Sequence, residues 1–355
     1  MSLKELGIVH KQIEPILVAY TNFRGEIKDI PSRIEKFREY FTILTPRPII
    51  AVIDDGVYSE GGSDIDICIP IDKNFNKEGF KVKTLEEVEV LSIVHNDLYN
   101  KLSETSQKLF NYFSEHAVLG TTKIRLFIQE FDKRESDKNR IEIQGILHQW
   151  DSRLQKNLDR VLDDKEKSKN IMKHKELFNI ETTQDEKAQW VKAVLKELDS
   201  VSNNYQKYDI LSSCAHEFSQ KRIDKLRDIY VESGDIDAVL EEMHKDYLWY
   251  ENPTRRGSVI YTTKIPFNLE GYKNAKTQDE KKRKYCHCSL VRDYWNEEIS
   301  PTFCNCSAGW YRQIWEGILK KPVRIEILKT LLKGDEICEF AIHIPHDDHT
   351  FLKRN

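Results

Sequence analysis

Ala19-Tyr20-Thr21-Asn22-Phe23-Arg24-Gly25, followed by Ile30-Pro31-Ser32-Arg33-Ile34-Glu35-Lys36-Phe37-Arg38-Glu39-Tyr40-Phe41, is met a second time in the chain. The echo is Leu91-Ser92-Ile93-Val94-His95-Asn96-Asp97, followed by Leu102-Ser103-Glu104-Thr105-Ser106-Gln107-Lys108-Leu109-Phe110-Asn111-Tyr112-Phe113, at a constant offset of 72 residues. Asp64-Ile65-Asp66-Ile67 is echoed by Arg140-Ile141-Glu142-Ile143 at an offset of 76. Two copies of one strand–helix–strand unit within about 150 residues imply a single pseudo-symmetric domain.

Within each copy the periodicities agree with that unit. Apolar or aromatic residues at 30, 34, 37, 40 and 41 have helical spacing, and Pro31 suits a first helical turn. Ile49 to Ile53 reads as a buried strand, and Asp64 to Ile71 as a half-buried one. Copy two predicts strands over 87–95, 122–131 and 140–147 and a helix over 103–116. The fold class is therefore α+β, with a duplicated domain over residues 1–150.

The chain has 355 residues, too many for one ordinary core. A charge run at 163–169 lies in a segment, 151–200, that reads as a charged helical linker, and 201–355 as a second α+β domain. In that second domain, helices are expected over Phe218–Tyr230, Ile236–Trp249 and Ser307–Leu319, and paired strands over 322–332 and 337–345. A net charge of −4 leaves no basic excess to neutralise phosphates, so a nucleic-acid partner is disfavoured. No apolar run approaches the roughly 20 residues of a membrane helix, and the N-terminus lacks a signal peptide's apolar core. A cytoplasmic protein with no membrane partner is expected. Its seven cysteines then read as thiols or metal ligands before disulfides.

The duplicated unit resembles the GyrI-like small-molecule-binding domain, found alone and as the effector-binding part of MerR- and AraC-type regulators. The resemblance is carried by Phe23-Arg24-Gly25 and Asp64-Ile65-Asp66-Ile67-Cys68-Ile69-Pro70 in copy one. In copy two it is carried by His95-Asn96-Asp97-Leu98-Tyr99 and Asn139-Arg140-Ile141-Glu142-Ile143-Gln144. It implies a curved antiparallel sheet, one helix per repeat on its outer face, and a pocket at the pseudo-twofold seam that takes diverse, often cationic aromatic compounds. Family members often carry a Glu two residues before a Tyr on the third strand of copy two. Aligned through Arg125, those positions hold Leu126 and Ile128 here, which implies a pocket for neutral ligands or a different acid. The expected ligand-binding residues are Tyr20, Tyr58, Glu60, His95, Tyr99, Leu126 and Ile128. Tyr112 and Phe127 are further aromatic candidates for which core packing is the stronger reading.

Cys286-His287-Cys288 and Cys304-Asn305-Cys306 place four cysteines within 21 residues. Four thiolates can close a tetrahedral zinc site, and an extended C-x-C can direct both sulfurs to one side. Zinc on Cys286, Cys288, Cys304 and Cys306 is the expected cofactor, with an iron–sulfur cluster second. Two other readings stay open: buried inert thiols, and nucleophilic or redox thiols favoured by the cations at 281–284. Cys214 with His216 is a further candidate pair, and Cys338 reads as core. The segment from Cys304 to Pro345 is similar to an uncharacterised bacterial family and, more distantly, to the 4-vinyl reductase and amino-thiazoline-carboxylate hydrolase groups.

The function expected is binding, sensing or sequestering of a hydrophobic or aromatic small molecule at the repeat seam. The alternative is a hydrolase acting on an electrophilic or heterocyclic compound, with Glu60, Asp66 or Glu142 as base, or with the clustered thiols. Edge strands of such sheets offer a route to a homodimer, and the oligomeric state is open.

Overall fold

The computed structural model describes residues 2–40, 48–54, 62–72, 78–131, 139–294 and 298–345, with the side chains of 38–40 excepted. Two compact units meet in sequence between His148 and Gln149. Tyr58 and Glu60 lie outside the described residues.

The first unit holds an eight-stranded antiparallel sheet and two principal helices. Its strands are β1 (Ile8–Ile13), β2 (Ile16–Gly25), β3 (Ile49–Ile53), β4 (Ser63–Pro70), β5 (Lys81–Leu85), β6 (Val88–His95), β7 (Gly120–Glu130) and β8 (Arg140–Leu147). The helices Ile30–Tyr40 and Leu102–Glu115 fall where the repeat predicts them. The strand order is β1-β6-β8-β7-β3-β4-β2-β5. That order is palindromic under the repeat: β1 answers to β5, β6 to β2, β8 to β4 and β7 to β3. The two halves meet at β3 and β7, where Ala51 pairs Leu126, with Ile49 opposite Ile128 and Ile53 opposite Ile124.

One consequence of the repeat is invisible in the motifs alone. The first strand of each copy pairs with the second strand of the other: β1 lies on β6, Ile8 opposite Ile93, and β5 lies on β2, Ile16 opposite Leu85. The copies exchange strands, so neither half is a closed sheet without the other.

Alternation along each strand assigns two faces. One carries Ala51, Ile65, Ile67, Leu126, Ile128, Ile143 and Gly145, and it is covered by the helices. A Cβ built on Gly145 would meet Phe113 at 2.8 Å, which shows how closely the helix Leu102–Glu115 approaches. Ile34, Phe37, Leu109 and Tyr112 are the buried helical residues that fill this layer. The opposite face carries Tyr20, Ile50, Val52, Asp66, Cys68, Arg125, Phe127, Glu142 and Gln144.

The second unit joins helices to a four-stranded antiparallel sheet, β9 (Thr254–Arg256), β10 (Val259–Thr263), β11 (Arg324–Lys329) and β12 (Glu339–His343), in the order β11-β12-β10-β9. The pairing of β11 with β12 is the expected antiparallel finish. β9 and β10 form a hairpin around Gly257-Ser258, with Gly257 at φ 62°. The segment read as a linker is helical at Trp150–Leu162, Lys165–Ile171 and Gln184–Val201. It gives this unit buried Trp150, Leu154, Leu158, Trp190, Val194 and Leu198. Its charges sit on the outer helix faces, which hides the apolar stripe from a composition count. The helix Asn305–Leu319 begins two residues before Ser307, after a 3-10 turn at Pro301–Cys304.

Lys187, on the helix Gln184–Val201, is buried to 2% exposure. Burial disfavours its charged form and pushes its pKa down to about 8. Between about pH 8 and the ordinary lysine range the unfolded chain holds a proton that the folded chain lacks, so stability rises with pH through that window. Below about 8 both states are charged and the whole burial cost is felt. Lys187→Met is therefore expected to flatten the rise above pH 8, as read by urea unfolding across pH 6–10.

Candidate functional site

The face of the first unit that points away from the helices carries a row of buried polar groups. Asp66 on β4 and Glu142 on β8 are 3% and 8% exposed and occupy equivalent positions in the two copies. Each is closed by a lysine from an exchanged strand. Lys11 on β1 reaches Glu142 at 2.6 Å, and Lys83 on β5 reaches Asp66. Lys83 stands 72 residues after Lys11, so the two ion pairs are images of one another. Asn22 Nδ2 also donates to Asp66 at 2.6 Å, and Gln144 Nε2 donates to Glu142 at 2.9 Å. Carboxylates held this way are structural ties before they are bases, because removing either lysine would leave a buried charge uncompensated.

Arg125, on β7 of the same face, is different. It is 6% exposed, faces Val52 on one neighbouring strand and Gln144 on the other, and shares its face with Phe127. Its Nη2 donates to the Glu86 carbonyl at 3.2 Å, but Nε and Nη1 are buried with no partner. Burial pulls its pKa below the usual guanidinium value. The equivalent position in copy one is Ile50, which is 1% exposed, so the cation appears in one half only. Beside it lies an apolar cluster of Val18, Ile50, Val52, Cys68 and Leu85, with Tyr20 and Phe127 packed against it.

The residues expected to bind ligand divide between the two faces. Tyr20 lies on the face with Arg125, its ring under Lys83 Nζ at 4.5 Å. Leu126 and Ile128 are 2% and 0% exposed and lie on the helix-covered face; the strand period of two turns them away from Arg125. His95 also points to the helix side. Its Nε2 donates to the Leu98 carbonyl at 3.0 Å, so its Nδ1 accepts from the Thr105 hydroxyl at 2.8 Å. Both ring nitrogens thus pin the loop that leads into the helix. Tyr99 donates to the Ile27 carbonyl at 2.7 Å, and its ring meets Phe131 edge-on. Burial, helped by Asp29, raises its pKa.

The second unit holds the thiols. Cys286, Cys288, Cys304 and Cys338 line one shallow recess together with Lys264 and Tyr285. Cys306 is not among its lining residues. Cys304 closes a 3-10 turn and Cys306 is the second residue of the following helix, where neighbours two apart point in diverging directions. Cys338, read as core from its alternating strand, is partly buried, packs against the core of the unit and also borders the recess. Cys214 is buried, its thiol on the Ile210 carbonyl at 3.2 Å, as an inert thiol would be. Among the described residues no group of three or more His, Cys, Asp or Glu side chains is arranged to hold a metal ion.

Cys286 and Cys288 follow the helix Gln278–Tyr285, Cys286 with an extended backbone and its sulfur 4.0 Å from the Cys288 carbonyl oxygen. The neighbouring Cys286 thiol lowers the pKa of Cys288, which Lys264, Ser307 and Arg292 lower further. The Ser307 hydroxyl is 3.9 Å from the Cys288 sulfur. Arg292 is anchored by its Nε to the Cys286 carbonyl at 2.8 Å and by Nη2 to the His287 carbonyl at 3.2 Å. Cys304 is engaged with Thr330 at 2.8 Å, and burial raises its pKa. His287 is turned to the Ile265 carbonyl at 2.8 Å.

No protein-family model and no curated protein matches the chain. Solved structures similar to it include a cryo-EM structure of an EcmrR–DNA complex in EcmrR-RPo. That match has 17% identity and a TM-score of 0.35, and covers 39% of this chain. It spans 57% of the length of the EcmrR chain. The EcmrR C-terminal domain matches at 19% identity and TM-score 0.34, over 39% of this chain and 96% of that one. SAV2435 bound to tetraphenylphosphonium matches at 11% identity and TM-score 0.32, over 41% and 96%. Among the described residues no helix is long and apolar enough to cross a membrane.

Proposed function

We propose that the first unit is a small-molecule receptor whose ligand is an aromatic anion, seated on the sheet face that bears Arg125. The observation that carries this reading is the half-satisfied guanidinium. Two buried N–H-bearing nitrogens without acceptors cost free energy in the empty protein, and an acidic ligand group would supply acceptors in a bidentate geometry. Asp66 and Glu142 on this face are held by Lys83 and Lys11, whereas Arg125 has no carboxylate partner among the described residues. Tyr20 and Phe127 offer apolar ring surface beside it. A cationic ligand would meet an uncompensated positive charge, so the preference is opposite to the one the family resemblance implies.

The reading is tested by titrating the full chain with anilinonaphthalenesulfonate and with tetraphenylphosphonium, two aromatic probes of opposite charge. The sulfonate is expected to bind at least about tenfold more tightly. Arg125→Met should weaken it by about 10–100-fold, the worth of charge-assisted hydrogen bonds. The same variant should melt no lower than the parent, because it removes a buried charge. A preference for the phosphonium, or unchanged sulfonate affinity in Arg125→Met, would overturn the proposal.

A further inference from the structure

We infer that the recess of the second unit is a thiol–disulfide exchange site for low-molecular-weight disulfides bearing carboxylates, with Cys288 as attacking thiol and Cys286 as resolving thiol. Both residues line the recess and are partly exposed, the Cys286 sulfur lies 4.0 Å from the Cys288 carbonyl oxygen, and the Cys288 sulfur has the Ser307 hydroxyl beside it at 3.9 Å. Cys286 and Cys288 stand together in the recess after the helix Gln278–Tyr285, whereas Cys306 lies in the helix Asn305–Leu319 and off the lining. Of the other thiols that border the recess, Cys304 is held by the Thr330 hydroxyl at 2.8 Å.

The charge of the recess selects the partner. Lys264 lines it and Arg292 stands behind Cys286 and Cys288, while no Asp or Glu is among the described lining residues. Lys264 also faces Glu251 at 3.6 Å, outside the lining. A carboxylate-bearing disulfide would find cations beside the sulfur it must approach, and apolar walls in Val291, Leu331 and Leu332.

The chemistry closes without any other reactant. The Cys288 thiolate attacks one sulfur of the small disulfide; its S–S bond breaks, a mixed disulfide forms on Cys288, and the first thiolate leaves and takes a proton from solvent. Cys286 then loses its proton and attacks the Cys288 sulfur. The second small thiolate leaves with that proton. Two protein thiols are oxidised to one disulfide and the small disulfide is reduced to two thiols.

Peptide mass mapping of the full chain after incubation with glutathione disulfide tests the inference. The parent protein is expected to lose two hydrogens, retain no glutathione and carry one bond, Cys286 to Cys288. Cys286→Ser should instead retain one glutathione on Cys288, and Cys288→Ser should react at least about tenfold more slowly than the parent. Mapping of the parent needs no variant, so a folding defect in either serine protein leaves the test intact. Glutathione on other cysteines first, or no reaction of the pair, overturns the inference. So does finding about one zinc per chain held by these thiols, which would make the recess a metal centre.

Discussion

Deleting residues 1–14 is expected to cost the first unit about 5 kcal/mol or more, enough to unfold it at 37 °C while the second unit stays folded. β1 makes a six-residue ladder with β6, from Ile8–Ile93 to Ile13–Val88. Each lost backbone hydrogen bond is worth about 0.5–1.5 kcal/mol net. Lys11 goes too, and Glu142 is left buried with Gln144 as its remaining polar neighbour on the strand. Against a typical domain stability of about 5–15 kcal/mol the sum is disabling. Single substitutions separate the contributions. Lys11→Met should cost about 1–2 kcal/mol, because the lysine side chain is 36% exposed and partly screened. Lys83→Met should cost more, about 2–4 kcal/mol, because Asp66 is only 4% exposed at its side chain. Hydrogen exchange of the intact chain reads both units at once. If β6 and β8 kept their protection after the deletion, the strand exchange would not be what holds the unit together.

Gly309→Val is expected to destabilise the second unit by about 3 kcal/mol or more. A Cβ at Gly309 would lie 1.9 Å from the Ser212 carbonyl oxygen and 2.7 Å from the Ala215 Cβ. The obstacle is backbone, so no rotamer change can relieve it, and the helices Asn305–Leu319 and Asn204–Ser212 must separate. Gly317 lies on the same helix and is the control. A Cβ there meets Ile223 Cγ2 at 2.4 Å, a side-chain atom that can move. Gly317→Ala should cost at most about 1–2 kcal/mol, since overpacking is offset by alanine's better helix propensity. Thermal melts of the two variants should therefore differ by several degrees, with Gly309→Val the lower.

The repeat carried most of the first unit into view. Its offset of 72 predicts the helices Ile30–Tyr40 and Leu102–Glu115 and the strands between and after them. It also relates Lys11 to Lys83, although Lys81-Val82-Lys83-Thr84-Leu85 looks too basic for a strand until its alternation is set beside that of β1. Which partner β1 and β5 choose depends on long-range pairing that no local pattern records. Leu126 and Ile128 alternate with Arg125 and Phe127, and a shift of one in a strand exchanges the faces, so the positions aligned through Arg125 fall on the helix-covered side. For the thiols no local pattern fixes the geometry: Cys286 and Cys288 follow a helix and line the recess together, while Cys304 lies in a 3-10 turn and Cys306, in the next helix, is off the lining. The hairpin of β9 and β10 had a readable signal in Gly257-Ser258 between two alternating stretches.

The exchange of first strands has a genetic corollary. Expressed as two separate identical polypeptides, such a half would close its sheet only by intertwining with a twin, and every substitution would then appear twice across the dyad. Joining the halves end to end releases that constraint. One half keeps isoleucine at position 50 while the other carries arginine at 125, so tandem fusion is what allows a single guanidinium, rather than a mutually repelling pair, to stand near the axis.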